Sequence, residues 1–282
     1  MNDTFDATVT TDWLADNISA PDLTVLDASF YLPAQNRDAN AEYVAAHIPG
    51  AHRFDFDVIA DASSSLPHML PSEDVFAAAV GAMGIGNASR VVVYEGSGLQ
   101  SAARVWWMFR AMGHDRVAVL EGGLPKWTAE GGAVTSDPPA ATPTTFKAAL
   151  RPEFVRSLND VRANVGSGRS LVLDARSRAR FDGSEPEARK GLRSGHIPDS
   201  SCIPSTDLVD PETKSLRDPE TLRALLAEAG VRDGQPVITT CGSGVAACTL
   251  GLALHLTGRD DWAVYDGSWT EWGGRTDTPV ET

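Results

Sequence analysis

Short apolar runs alternate with helical patterns along the chain, and this alternation predicts its secondary structure. The apolar runs lie at 23–26, 91–94, 117–120, 171–173, 236–240 and 262–265. The runs at 91–94 and 236–240 are each followed by a glycine-rich turn and then by a helical pattern, over 102–112 and 246–256. Buried strands that alternate with helices are typical of a parallel sheet covered on both faces. The pattern therefore predicts an α/β fold.

The same landmarks occur twice in the same order. Leu26-Asp27-Ala28 returns as Leu173-Asp174-Ala175, His47-Ile48-Pro49 as His196-Ile197-Pro198, Glu95-Gly96-Ser97-Gly98 as Cys241-Gly242-Ser243-Gly244, and Glu121-Gly122-Gly123 as Asp266-Gly267-Ser268. The four residue offsets are 147, 149, 146 and 145. A nearly constant offset over so much of the chain indicates a duplicated domain.

Composition marks the boundary between the two halves. A stretch rich in Gly, Pro, Ser and Thr separates the strand and helix patterns of one half from those of the other. We predict a first domain over residues 1–135, a linker over 136–152 and a second domain over 153–282. Each half then has an ordinary domain size.

The formal net charge of −14 argues against nucleic acid or an anionic membrane surface as the main partner. A small anionic substrate remains compatible with it, because a site can be locally positive in an acidic protein. The N-terminal residues lack a signal-peptide pattern, and no apolar run reaches the length of a membrane span. Three cysteines suggest a reducing compartment without a disulfide framework. We therefore expect a cytoplasmic protein.

Cys241 begins the glycine-rich turn of the second half. Gly242 and Gly244 allow the backbone to curl tightly, and the helix that follows adds its positive N-terminal end. Both effects favour a cysteine thiolate, which is a nucleophile and whose persulfide would also be an anion. The alternative is that Cys241 is a small buried apolar residue at the end of a strand. The other cysteines, Cys202 and Cys248, are predicted to lie in the core.

Glu95 occupies the equivalent position in the first half. A carboxylate cannot act as a soft sulfur nucleophile. We therefore predict that the first domain is a catalytically inactive copy. The recurring His47 and His196 are predicted to be structural, because they appear in both the active and the inactive half.

The tandem halves, the Cys-Gly-Ser-Gly-Val loop and the Tyr265-Asp266-Gly267-Ser268-Trp269 segment resemble the rhodanese-like sulfurtransferases over nearly the whole chain. The resemblance implies two rhodanese-like domains and a sulfur atom carried as a persulfide on Cys241. Within the family, the loop is similar to that of members that use 3-mercaptopyruvate. Gly242 and Ser243 are neutral, whereas members that use thiosulfate typically carry basic residues there.

The resemblance also implies the residues that bind the donor. Arg180 and Arg189 would hold the carboxylate and keto group, since a guanidinium pairs bidentately with a carboxylate. The loop residues Gly242, Gly244, Val245 and Ala246 would cradle the sulfur. The alternatives are that both arginines are solvated surface residues, or that Arg178 has the role given to Arg180. Ala246 departs from the family pattern, which usually has Thr there.

A proton relay of Asp57, His68 and Ser243 is a further implication of the resemblance. Loss of sulfur from mercaptopyruvate leaves a pyruvate enolate that needs a proton, and a serine hydroxyl beside the cysteine can deliver it. The alternative is that the histidine and the aspartate are structural hydrogen-bonding groups.

The expected mechanism is a two-step covalent one, in which thioredoxin, a small thiol or cyanide accepts the sulfur. One alternative is a thiosulfate:cyanide sulfurtransferase. Another is a non-enzymatic persulfide carrier, which would not need the substrate-binding residues Arg180 and Arg189. A cysteine phosphatase would need an arginine at position 247, which is Ala247. We expect no cofactor, and no metal site, because the histidines and cysteines do not cluster in the sequence.

Overall fold

The computed structural model describes residues 5–282, and these form two compact units. Within the described residues, the first unit contains the chain up to Asp61, Pro71–Leu150 and Pro211–Leu216. The second unit contains Ala62–Leu70, Arg151–Asp210 and Arg217–Thr282. Each unit therefore includes a short segment from the other half of the sequence. No helix within the described residues is both long enough and apolar enough to cross a membrane.

The first unit contains a parallel five-stranded sheet with strand order β1-β5-β4-β2-β3. Its strands are β1 (Thr8–Val9), β2 (Leu23–Asp27), β3 (His52–Arg53), β4 (Arg90–Tyr94) and β5 (Val117–Leu120). Its helices are α1 (Thr11–Asn17), α2 (Ala39–Ala45), α3 (Glu73–Ala82), α4 (Gln100–Ala111) and α5 (Gly123–Ala129).

The second unit repeats this arrangement, with strand order β6-β10-β9-β7-β8 and parallel pairing throughout. Its strands are β6 (Val155–Arg156), β7 (Leu171–Asp174), β8 (Ser200–Cys202), β9 (Val237–Thr240) and β10 (Trp262–Tyr265). Its helices are α6 (Leu158–Asn164), α7 (Arg178–Phe181), α8 (Pro219–Glu228), α9 (Ala247–Leu256) and α10 (Ser268–Trp272). The predictions of an α/β fold and of a duplicated domain are confirmed.

The central strand of each sheet explains where the two glycine-rich loops lie. β4 and β9 are buried on both faces, which accounts for their β-branched runs without polar alternation. Each leads into a helix that is buried over most of its surface, α4 after β4 and α9 after β9. The loop between strand and helix therefore lies at the carboxyl end of a central strand, where parallel sheets bind ligands.

The composition-predicted linker has irregular backbone, and part of it packs on the first unit. The Thr144 amide donates to the Gly81 carbonyl at 2.9 Å. Gly81 has no room for a side chain, because a Cβ there would lie 2.6 Å from the Thr144 carbonyl oxygen. Phe146 is buried edge-on against Phe76 and Phe109. These contacts attach the segment to α3 and α4.

Candidate active site

Cys241 follows β9 directly, and its backbone is fixed by the start of α10. The Cys241 amide donates to Ser268 Oγ at 3.2 Å, and the Cys241 carbonyl accepts from the Trp269 amide at 2.9 Å. The thiol is free of any disulfide, and the residue is 3% exposed. The cysteine is thus held at the carboxyl end of the central strand with little freedom to move.

The loop after Cys241 has unused hydrogen-bond donors. Among the described residues, the backbone amides at 242–243 and 245–247 donate to no protein acceptor. Gly244 has φ +81°, a left-handed conformation that glycine adopts readily. The loop leads into α9, whose N-terminal end favours negative charge. These features suit the loop to an anion on the sulfur of Cys241.

The other two cysteines have different surroundings. Cys248 is fully buried in α9, and its thiol donates to the Gly244 carbonyl at 3.2 Å. Cys202 is half-buried on β8, so it lies at the margin of the core rather than inside it. Burial raises the pKa of Cys202 to about 12, which keeps it a thiol at neutral pH.

Arg180 lies over the loop. Its Nη2 is 3.2 Å from the position that a Cβ would take at Gly242, so the guanidinium and the loop backbone approach closely there. Arg178 lies elsewhere, largely exposed and paired with Asp207 at 3.4 Å. The structure therefore brings Arg180, and not Arg178, to the loop.

A buried ionic network holds Arg180. Its Nε donates to Glu187 Oε2 at 3.1 Å, and its Nη2 donates to the same oxygen. Glu187 Oε1 accepts from Arg176 Nη1 at 2.5 Å. Arg176 is paired with Asp174 at 2.7 Å and lies 4.3 Å from the centre of the Trp269 ring. A carboxylate shared by two arginines thus links the loop to the core of the second unit.

Arg189 contacts a histidine from the first half of the sequence. Arg189 Nη2 lies 3.3 Å from His68 Nε2, and both residues belong to the second unit. His68 is buried at φ +61°, a strained conformation of the kind that clusters at functional sites. The Leu70 amide donates to Asp266 Oδ2 at 2.7 Å and fixes the segment.

Two other predicted site residues have less defined surroundings within their units. Asp57 is exposed in the first unit, and its amide donates to Asp55 Oδ1 at 3.0 Å. Ser243 is half-buried in the loop. Its hydroxyl has no hydrogen-bond partner within the part of the chain that the structure describes.

The equivalent loop of the first unit holds the carboxyl group of Glu95 in place of a thiol. The buried carboxylate of Glu95 accepts from the Ser101 amide at 2.7 Å, from the Ser101 hydroxyl, and from the Ser97 hydroxyl at 3.2 Å. Burial raises the pKa of Glu95 to about 7, against the opposing effect of these hydrogen bonds. The Glu95 carbonyl accepts from the Leu124 amide at 3.0 Å, just as Cys241 does from Trp269.

Sequence reasoning missed three residues of this site. Glu187 and Arg176 carry no local signal, because their pairing depends on chain folding. Ser268 did carry one: the repeat aligns it with Gly123, and both adopt left-handed backbones, at φ +48° and +55°. A glycine in one copy of a repeat indicates that its counterpart has a constrained conformation.

Comparison with known proteins finds two regions of the chain that match the same family. A family profile described as "Rhodanese-like domain" matches residues 10–130 and 157–275. "Thiosulfate/3-mercaptopyruvate sulfurtransferase 1, mitochondrial" of Arabidopsis thaliana is 44% identical over 99% of this chain and 79% of its own length. Human "3-mercaptopyruvate sulfurtransferase" is 44% identical over 94% of this chain and 91% of its own. Rat "Thiosulfate sulfurtransferase" is also 44% identical, over 98% of this chain and 94% of its own length.

The solved structures agree with the sequence relatives. A crystal structure of SseA from Escherichia coli, described among 3-mercaptopyruvate sulfotransferases, superimposes with a TM-score of 0.83 at 36% identity. The match covers 93% of this chain and 98% of SseA. The Tum1 protein of Saccharomyces cerevisiae has a TM-score of 0.89 at 29% identity, covering 99% and 98% of the two chains.

Proposed function

Because this chain belongs to the rhodanese-like domain family, we propose that its sulfurtransferase chemistry runs through a persulfide on Cys241, with 3-mercaptopyruvate as the sulfur donor. The observation that carries the proposal is the loop of the second unit. It combines a fixed cysteine, unpaired backbone amides and the guanidinium of Arg180.

Arg180 and Arg189 bind the carboxylate and the keto oxygen of the donor. The Cys241 thiolate attacks the donor sulfur, and a sulfur–sulfur bond forms. The bond between that sulfur and the adjacent carbon breaks, and its electron pair leaves as the enolate of pyruvate. Positive guanidinium groups stabilise the charge that develops on the enolate oxygen.

The enolate then takes up a proton at carbon to give pyruvate. Ser243 is the donor in this proposal, since it lies two residues from the nucleophile and its hydroxyl has no partner within residues 5–282. His68 and Asp57 would complete the relay. The hydrogen bond between His68 and Arg189 supports the part played by His68.

The loop from Gly242 through Gly244 and Val245 to Ala246 cradles the persulfide, because backbone amides and the helix N-terminus stabilise an anion. In the second step a thiol of thioredoxin or of a small molecule, or cyanide, attacks the outer sulfur and restores Cys241. A cytoplasmic location stays a prediction; the name of the Arabidopsis relative places that protein in mitochondria.

The choice of donor depends on local residues rather than on overall similarity. Relatives named for mercaptopyruvate and for thiosulfate are equally similar to this chain, at 44% identity. Thiosulfate is therefore the second candidate donor. Gly242 and Ser243 offer no cation to a second negative charge, which favours the organic acid.

Mass spectrometry tests the proposal directly. After incubation with 3-mercaptopyruvate we expect the mass of one sulfur atom on the peptide that contains Cys241, together with an equivalent amount of pyruvate. Cys202→Ala is the matched control and should still gain the sulfur, whereas Cys241→Ala should not. Sulfur on another cysteine, or pyruvate release by Cys241→Ala, would contradict the mechanism. The ratio of kcat/KM for the two donors decides between them.

A further inference from the structure

Glu187 occupies one edge of the Arg180 guanidinium. The Nε and Nη2 atoms of Arg180 both donate to Glu187 Oε2. The Nη1 atom has no protein acceptor among residues 5–282. Arg180 remains 26% exposed at its side chain, so the edge formed by Nη1 and Nη2 is the one left for a ligand.

Glu187 is itself held in place by a buried arginine. Its other oxygen accepts from Arg176, whose side chain is 1% exposed. The Arg176 guanidinium donates to both carboxylate oxygens of Asp174 and to the Gly195 carbonyl at 2.9 Å. A guanidinium with this many partners is held rigidly. The orientation of Arg180 is therefore set by a buried frame and not by its own flexible chain.

We propose that Glu187 is a positioning and specificity-determining residue for sulfur transfer, and that it selects a monocarboxylate donor over thiosulfate. The inference rests on the proposed function, because it assigns Arg180 to the donor carboxylate. Glu187 acts in two ways. It aims the free edge of Arg180, and it cancels the charge of Arg180.

The ionic network behind Arg180 carries no net charge. Asp174 and Glu187 carry two negative charges, and Arg176 and Arg180 carry two positive charges, so the network is neutral. A dianion such as thiosulfate loses much hydration on binding, and the neutral network leaves Arg189 as the one uncompensated cation that we assign to the donor. A planar carboxylate gains two parallel hydrogen bonds from a guanidinium edge, whose geometry Glu187 leaves intact.

The first unit contains a matched pair that lacks the frame. Arg37 Nε donates to Glu42 Oε1 at 2.8 Å, and Arg37 Nη2 lies 3.6 Å from the Cβ position of Gly96 in the equivalent loop. The side chains of Arg37 and Glu42 are 35% and 41% exposed. Glu42 accepts from the neutral Tyr31 hydroxyl at 2.8 Å, whereas Glu187 accepts from the Arg176 guanidinium. Glu42→Gln is therefore a matched control for Glu187→Gln.

The test is the ratio of kcat/KM for 3-mercaptopyruvate to kcat/KM for thiosulfate. We expect Glu187→Gln to lower this ratio about tenfold or more, the size expected for one hydrogen bond to a charged group. The change should combine a higher KM for mercaptopyruvate with better use of thiosulfate. Glu42→Gln should leave the ratio unchanged. A loss of folded enzyme lowers kcat/KM for both donors equally, so their ratio reports on the active site alone.

Glu187→Asp separates the two actions. It keeps the negative charge but shortens the side chain, so KM for mercaptopyruvate should rise while thiosulfate remains a poor donor. An unchanged ratio in Glu187→Gln, or an equal fall in Glu42→Gln, would overturn the inference. Failure of the wild-type enzyme to use mercaptopyruvate would instead overturn the proposed donor, so the two failures are distinguishable.

Discussion

The loops after β4 and β9 have the same place in their units but opposite occupants. In the first unit the Glu95 carboxylate accepts hydrogen bonds from Ser97 and Ser101 of its own loop and helix. In the second unit the corresponding amides, including that of Ala247, have no acceptor in the described chain. One side chain therefore distinguishes a loop whose amide is already bonded to a carboxyl group from a loop whose amides are available to an anion.

Glu95 also marks the place where the loop holds an acidic group. The repeat aligns it with Cys241, and the matching hydrogen bonds to Leu124 and Trp269 show that the two backbones are equivalent at this point. A buried carboxylate in the first loop therefore indicates where a persulfide anion would lie in the second. The three predictions that follow test this equivalence.

The largest effect is expected from replacing Cys241 and Glu95 with residues of similar shape. Cys241→Ser should lower kcat/KM for sulfur transfer about a thousandfold or more, because serine cannot hold a persulfide. Glu95→Gln should change kcat/KM less than about threefold. Steady-state pyruvate release measures both. A large loss in Glu95→Gln would show that the first unit is not an inactive copy.

The second prediction concerns stability and pH. The pKa of Glu95 is about 7 in the folded unit, against 4.5 for an unperturbed glutamate. Between these two pH values the folded state therefore binds more protons than the unfolded state. The contribution of Glu95 to stability is present below pH 4.5 and is lost as pH rises through about 7. The loss amounts to about 3 kcal/mol, at about 1.4 kcal/mol per pH unit.

Glu95→Gln provides the control for this measurement. Denaturant unfolding at several pH values should show that the wild-type free energy of unfolding falls, relative to Glu95→Gln, between about pH 4.5 and pH 7. Parallel pH dependences of the two proteins would mean that the carboxylate is ionised throughout that range.

The smallest effect is expected at the turn that holds the nucleophile. Ser268 has the backbone of Gly123 but adds a hydroxyl that accepts from the Cys241 amide. Ser268→Ala keeps the left-handed strain and leaves that amide unpaired, so it should lower the free energy of unfolding by about 2 kcal/mol. Ser268→Gly relieves the strain and should be more stable than Ser268→Ala by about 1 kcal/mol.

Urea titrations of the wild-type protein and both variants measure these differences. Equal stability of the alanine and glycine variants would show that the left-handed backbone at position 268 is unstrained. Wild-type stability in Ser268→Ala would show that the hydroxyl contributes nothing to the position of Cys241.

The strands, the duplication and the loop at Cys241 could all be predicted from sequence because their signals are local. Buried parallel strands need apolar runs, and the turn after β9 needs glycine, so these features appear in consecutive residues. The donor-binding role of Arg180 was predicted through family resemblance. Arg178 remained an alternative until the structure placed it on Asp207.

The frame behind Arg180 could not be predicted in this way. Asp174 and Glu187 lie two residues before and eleven residues after Arg176, and no helix or strand periodicity brings these three positions together. The position of His68 could not be predicted from local patterns either. Its segment, residues 62–70, belongs to the first half of the sequence but packs in the second unit.

The repeated α/β architecture and the cysteine at the end of the central strand are encoded locally, since both follow from which residues can be buried next to one another along the chain. The charged groups that surround that cysteine are brought there by the folding of the whole domain. Ion pairs form between residues that folding brings within a few ångströms, whatever their separation in sequence, and their partners are chosen by packing that no local pattern records.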